Sequence, residues 1–195
     1  VVALNQLCVT LKDCPKYRLE FRAGGMIGAN AFALPGGIMV ATDELITLSK
    51  NNTEIIAVLA HELGHVKQRH AFRQSLQGVL SGLILAAVTG DVSSVGSGLP
   101  AVLMQMRYSS EHELEADGFA LNALQKACLP PKAFADILQR LQNQALGDGK
   151  KDTPDKTAKT TLPHQDDDFV SEMLATHPDT QARIKPFLAA KQNCN

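Results

Sequence analysis

Residues 60–66 read Ala-His-Glu-Leu-Gly-His-Val. They follow the run Ile55-Ile56-Ala57-Val58-Leu59-Ala60, which is apolar on most sides and so marks a buried helix rather than a surface one. His61 and His65 stand four residues apart, so their rings lie one above the other on a single helical face. Two imidazoles at that spacing can present nitrogens to one metal ion at roughly 2.0–2.1 Å. Glu62 sits about 100° further round the helix, out of line as a third ligand but within reach of a metal-held water. In zinc peptidases a glutamate so placed takes the water's proton and later passes it to the leaving amine. The three-residue pattern alone arises by chance in roughly 2% of chains this long, so its setting matters. Burying two imidazoles and a carboxyl without partners is costly, and a shared cation removes that cost.

A zinc ion held by two His needs at least one more protein ligand and, for catalysis, an open position for water. The stretch Tyr108-Ser109-Ser110-Glu111-His112-Glu113-Leu114-Glu115-Ala116-Asp117 supplies candidates. Glu113 and Asp117 share a helical face; one can bind metal while the other accepts a hydrogen bond from a ligand His and fixes its tautomer. Glu111 and Glu115 point to other faces, where solvent is the expected surrounding. His70 and His112 miss the metal face and are expected to be exposed, and His164 lies in a polar loop.

The 195 residues are 45% hydrophobic, with 19 Lys+Arg against 20 Asp+Glu. A net charge of -1 removes the electrostatic footprint of a nucleic-acid binder, and the apolar content excludes a disordered chain. No run of about 18 uninterrupted apolar residues is present; the nearest, Val79–Thr89, gives way to Asp91 and several Gly and Ser. The chain opens at Val1 with no initiator Met and no basic-then-apolar leader, the pattern expected of a processed or excised fragment. Cys8, Cys14, Cys128 and Cys194 form neither a Cys-x-x-Cys pair nor a zinc-ribbon spacing, so no structural zinc site is expected. Of the three possible pairings, Cys8–Cys14 with Cys128–Cys194 in an oxidising compartment is expected, the alternative being four reduced, buried thiols.

Periodicity and punctuation point to one α+β domain, 1–195, mainly helical. A helix end is expected at Val1–Lys12 and a strand at Tyr17–Phe21. Short strands at Asn30–Leu34 and Ile38–Ala41 flank the turn Pro35-Gly36-Gly37. Asn51 with Glu54 resembles a capping box, opening a helix expected to reach about Arg73. A second long helix is expected over Ala101–Ala127 and a third from Pro131 to Leu146, stopped by Gly147. Asp148–Asp168 reads as a mobile polar loop. A last helix follows His177-Pro178, with Pro186 expected to kink it.

Asn30-Ala31-Phe32-Ala33-Leu34-Pro35-Gly36-Gly37, His61-Glu62-Leu63-Gly64-His65, Glu113-x-x-Ala116-Asp117, and Thr176-His177-Pro178 with Arg183 stand in this order. Together they resemble the HtpX/BepA/LoiP group of gluzincin metallopeptidases, with CAAX prenyl proteases and Oma-type enzymes as eukaryotic relatives. The resemblance runs from about Asn30 to Pro186 and implies a zincin-like fold, with a small β-sheet packed on the buried metal-binding helix. It implies Zn2+ held by His61, His65 and Glu113, with Glu62 as general base and Asp117 as partner of a ligand His. Asn30, Ala31, Phe32 and Ala33 would form the edge along which an extended substrate adds. His177 would lie near the zinc, either as oxyanion donor or as an extra ligand that holds the enzyme latent, with Arg183 orienting its segment. The family often has Arg where Ser110 stands, so any ion pair of that Arg is missing here.

The expected activity is a zinc endopeptidase acting on unfolded or misassembled proteins in an envelope compartment, periplasmic or membrane-associated. Unfolded polypeptides and membrane or envelope-assembly proteins are the expected partners, with no nucleic acid. The alternative is a metal-loaded chaperone or binding module with little proteolysis, which would have no chemical need for Glu62. Residues 76–106, between the two ligand helices, are expected to form a hairpin that touches a membrane, covers the cleft or joins the core.

Overall fold

A computed structural model describes residues 2–89, 108–148, 177 and 180–192. In chain order the elements are helix α1 (Val2–Thr10), strands β1 (Arg18–Arg22), β2 (Ala31–Leu34) and β3 (Ile38–Thr42), then helices α2 (Asp43–Leu48) and α3 (Asn52–Gln68). Helices α4 (His70–Thr89), α5 (Ser110–Lys126), α6 (Lys132–Asp148) and α7 (Thr180–Ala189) follow. The architecture is the mainly helical α+β arrangement expected, with one small sheet.

The three strands lie in the order β1-β3-β2. β1 runs parallel to β3 (Arg18 opposite Ile38), and β2 antiparallel to it (Ala31 opposite Ala41, Leu34 opposite Ile38). Gly36 and Gly37 turn the β2–β3 hairpin at φ of 86° and 81°, values that side-chain-bearing residues rarely adopt. Among the described residues β2 is an edge strand. Thr42 N donates to Asn30 O (2.9 Å), so alternation along an antiparallel pair directs the main-chain groups of Ala31 and Ala33 away from β3, to the edge that pairs with no strand among the described residues.

Helix starts follow from their caps. Thr42 Oγ1 accepts from Leu45 N, Asn51 Oδ1 from Glu54 N and Ser109 Oγ from His112 N, each satisfying an orphan first-turn donor. α3 carries the expected metal motif and is buried from Ile56 to His65. It packs most extensively on α5, and the approach depends on small residues: a Cβ built on Gly64 would lie 2.8 Å from Ala116 Cα. Ala57 and Ala60 on α3 and Ala116, Ala120 and Ala123 on α5 are all fully buried. The core continues through Leu4 and Leu7 of α1, Met39 of β3, Leu59 and Leu63 of α3, and Phe134 of α6 with Phe187 of α7.

Several expectations are corrected. The helix expected to reach Arg73 stops at Gln68, because Arg69 adopts φ 56°, ψ 36° and starts α4 in a new direction. α5 opens at Ser110 behind the Ser109 cap; residues 101–107, where the sequence placed its start, lie outside the described residues. α6 runs past Gly147 to Asp148. The described part of the expected hairpin, residues 76–89, continues α4 as a single helix, and the rest of that hairpin and the polar loop beyond Asp148 lie outside the described residues. α4 is also long and apolar enough to cross a membrane over His70–Val88 (19 residues, mean hydropathy 1.2, 12% buried). A search for uninterrupted apolar runs misses it because Gly, Ser and Gln interleave with Phe72, Leu76, Leu80, Leu83, Ile84 and Val88, all exposed. Cys8 and Cys14 form a disulfide, and Cys128 is disulfide-bonded as well; its expected partner, Cys194, lies outside the described residues.

Candidate metal centre

α3 and α5 cross antiparallel, setting His61 beside Asp117 and His65 beside Glu113. The i, i+4 spacing on each helix therefore meets its counterpart on the other. His61 Nε2 and His65 Nε2 are 3.0 Å apart, and Glu113 reaches them at 3.5 Å (Oε2) and 3.3 Å (Oε1). His177 places Nδ1 2.9 Å from both Glu113 oxygens and 3.4 Å from His61 Nε2. One ligand atom from each of His61, His65, Glu113 and His177 lies within 4.8 Å of every other, and all four side chains are buried.

A divalent cation fits this donor set on two grounds. His61 Nδ1 lies 2.9 Å from Asp117 Oδ1, somewhat off the line of an ideal hydrogen bond, so its proton belongs there and Nε2 is left as a lone pair aimed into the cluster. The cluster also buries three carboxyl groups, Glu62, Glu113 and Asp117, against the one guanidinium of Arg183. A positive charge among converging acceptors resolves both problems.

Arg183, on α7, forks onto Asp117 with Nε to Oδ2 at 2.7 Å and Nη2 to Oδ1 at 2.8 Å. Its Nη1 is 2.6 Å from Glu113 Oε2 and 3.4 Å from the His177 carbonyl. One side chain thus ties α5 to the segment bearing His177. Phe134 of α6 stacks on His61 with ring centroids 5.3 Å apart, closing the opposite side.

Glu62 is fully buried, and neither carboxylate oxygen has a hydrogen-bond partner among the described residues; the nearest cation-forming group, His177 Nε2, is 3.7 Å away. Burial raises its pKa, which suits a proton acceptor that must later release the proton. Burial holds His65 well below the usual imidazole range, neutral and free to ligate. For His177, burial acts downward but the charge of Glu113 outweighs it and the imidazole is raised. Glu113 and Asp117 experience the mirror of this: burial acts upward, and their cationic and hydrogen-bonding neighbours hold both carboxyls low.

The four residues expected at the β-edge lie on or beside β2. Asn30 is buried with its main chain bonded to Thr42 and its Oδ1 unpartnered among the described residues; Ala31 and Ala33 are buried, Phe32 half-buried. A groove lined by Ala33, Leu34, Gly36, His65, Ala71 and Phe72 joins this edge to the cluster.

Three residues went unrecognised in the sequence. Tyr108 is buried, stacks on His65 (centroids 3.9 Å apart) and donates from its hydroxyl to Ala33 O at 3.2 Å, on the outer edge of β2. His70, expected to be exposed, is fully buried with Nδ1 2.9 Å from His65 Nδ1 and Nε2 3.0 Å from Glu115 Oε2. His112, also expected to be exposed, is half-buried and stacks on His70 at 4.1 Å. Helical spacing gave no warning of the last two, because the turn at Arg69 changes which residues face α5. Glu115 is exposed as expected, but its carboxylate is bonded to His70.

A buried helix bearing His-Glu-x-x-His, crossed by a helix that brings a carboxylate to both imidazoles, is the arrangement a metallopeptidase centre calls for. The chain belongs to peptidase family M48, whose sequence profile matches residues 13–190. It is 30% identical over 168 residues to the beta-barrel assembly-enhancing protease of Yersinia pestis, covering 80% of this chain and 31% of that one. It is 32% identical over 137 residues to the mitochondrial metalloendopeptidase OMA1 of Saccharomyces cerevisiae (69% and 39%). With the protease HtpX homolog of Pyrococcus abyssi it shares 29% over 183 residues (80% and 62%). The chain therefore spans only about a third of the length of the first of these relatives.

Proposed function

We propose that this chain is a zinc endopeptidase domain that hydrolyses unfolded or misassembled proteins, with His61, His65 and Glu113 as the Zn2+ ligands and Glu62 as general base. The observation that carries this reading is the convergence of four ligand atoms within 4.8 Å beside a buried carboxyl with both oxygens free. When bound, zinc polarises a scissile carbonyl and lowers the pKa of water. Glu62 accepts the attacking water's proton and delivers it to the departing amine. Asp117 holds His61 in the ligating tautomer, and Arg183 holds Asp117 and Glu113 in place. An extended substrate pairs with the outer edge of β2 over Asn30–Ala33, chiefly through the main chain of Ala31 and the N–H of Ala33, so recognition tolerates many sequences.

Replacing Glu62 tests this. Glu62→Gln keeps the size and the ligands, so the variant is expected to retain zinc and lose about 10²–10⁴-fold of its rate on casein or a fluorescence-quenched peptide. Equal hydrolysis by variant and wild type leaves the chaperone or binding-module alternative.

His177 is read as an inhibitory fourth ligand, because its Nδ1 stands inside the ligand set and a site closed by four protein atoms has no place for water. His177→Ala is expected to raise hydrolysis several-fold; a fall would assign it to oxyanion stabilisation instead. An envelope location, periplasmic or membrane-associated, is supported by the oxidised cysteines and the exposed apolar length of α4. The likeness to a beta-barrel assembly-enhancing protease supports envelope-assembly proteins as partners.

A further inference from the structure

Helix α3 stops at Gln68 although neither Gly nor Pro stands there to stop it. The stop is made by Arg69 in the left-handed region, which residues with a β-carbon seldom enter. Had the helix continued, residue 70 would lie about 140° round the axis from residue 65, and the two could not touch. The turn instead folds His70 back onto His65, fully buried, with His112 stacked on its ring.

We propose that His70 is a positioning residue of the metal centre, accepting the Nδ1 proton of His65 while Glu115 holds it in the tautomer able to do so. This rests on the reading of His65 as a zinc ligand. The proton count is closed. Glu115, a carboxylate at the solvent boundary, only accepts, so the proton on His70 sits at Nε2, 3.0 Å from Oε2. His70 Nδ1 is then a lone pair and receives the Nδ1 proton of His65 across 2.9 Å. His65 Nε2 is left unprotonated and faces Glu113 and His61. The opposite assignment puts a proton on His65 Nε2, where a cation would have to bind. α5 thereby orients both imidazoles of α3: Asp117 acts on His61 directly, and Glu115 acts on His65 through the ring of His70.

The first test is long-range ¹H–¹⁵N NMR of the histidine rings in the chelator-stripped wild-type chain, with His65 expected to be protonated at Nδ1 and His70 at Nε2. The reverse tautomers overturn the proposal, and this needs no variant to fold. The second is Zn2+ affinity measured by competition with a chromophoric chelator. His70→Leu is expected to lose about 10–100-fold, and His70→Asn, whose amide oxygen can stand in for Nδ1, to recover most of it. Equal affinity in His70→Leu and wild type, or equal loss in the two variants, overturns the role of His70 alone. A wild-type chain that binds no Zn2+ overturns the ligand assignment and His70's role with it.

Discussion

Two glutamates on α3, eight residues apart, are almost equally buried and opposite in character. Both oxygens of Glu62 lack partners, whereas Glu54 accepts from Arg140 Nη1 at 2.7 Å and Nη2 at 3.0 Å and from Lys50 N at 2.8 Å. The capping box read from Asn51 and Glu54 is thus only half realised. Asn51 caps as expected, but Glu54 reaches the amide one residue before the cap because Arg140 of α6, distant in sequence, draws it there. The hydrogen bonds from Arg140 hold Glu54 below the ordinary carboxyl value of 4.5. A depressed folded pKa means that this stabilisation is complete above the unfolded value and is lost as pH falls through the folded one. Arg140→Met is expected to cost about 1–3 kcal/mol at pH 7. In denaturant titrations the difference between variant and wild type should shrink below about pH 4; a difference independent of pH would contradict the pairing. The shared face of His61 and His65, and that of Glu113 and Asp117, could be read from sequence because i, i+4 geometry is local. The Glu115–His70 contact could not, since it depends on the direction α4 takes after Arg69.

At the scale of elements, the α3–α5 crossing makes the site. Gly64 is enclosed by Ala116, its hypothetical Cβ 2.8 Å from that residue's Cα and 2.9 Å from its carbonyl oxygen. Backbone cannot move aside as a long side chain can, so Gly64→Ala must force the helices apart. The expected cost is about 1–3 kcal/mol in unfolding free energy, with zinc retention weakened because His61 and His65 withdraw from Asp117 and Glu113. Circular-dichroism melts and metal content measured on the same sample check both; unchanged values would mean the crossing has slack. The strands and the starts of α3 and α6 could be read from sequence because turns and caps are local signals, as at Pro35-Gly36-Gly37, Asn51 and Pro131. The Ser109 cap could not, and α5 opens later than the sequence suggests. The end of α3 could not, because Arg69 carries no breaker chemistry and its left-handed turn is sustained by tertiary contacts of His70.

Across the whole molecule, five elements converge on one buried centre. α3 supplies two imidazoles and Glu62, α5 the carboxylates, α6 the ring against His61, α7 the guanidinium, and β2 an edge on which Ala31 and Ala33 face away from β3, with the Ala33 carbonyl held by Tyr108. With three carboxyl groups against one arginine, a cation bound at this centre would stabilise the fold, since whatever binds only the folded chain raises its stability. The most direct measurement is calorimetric titration of Zn2+ into the chelator-stripped wild-type chain, repeated with His65→Ala. One ion per wild-type chain is expected, with binding abolished or weakened by orders of magnitude in the variant; no binding, or undiminished binding without His65, would contradict the centre described here.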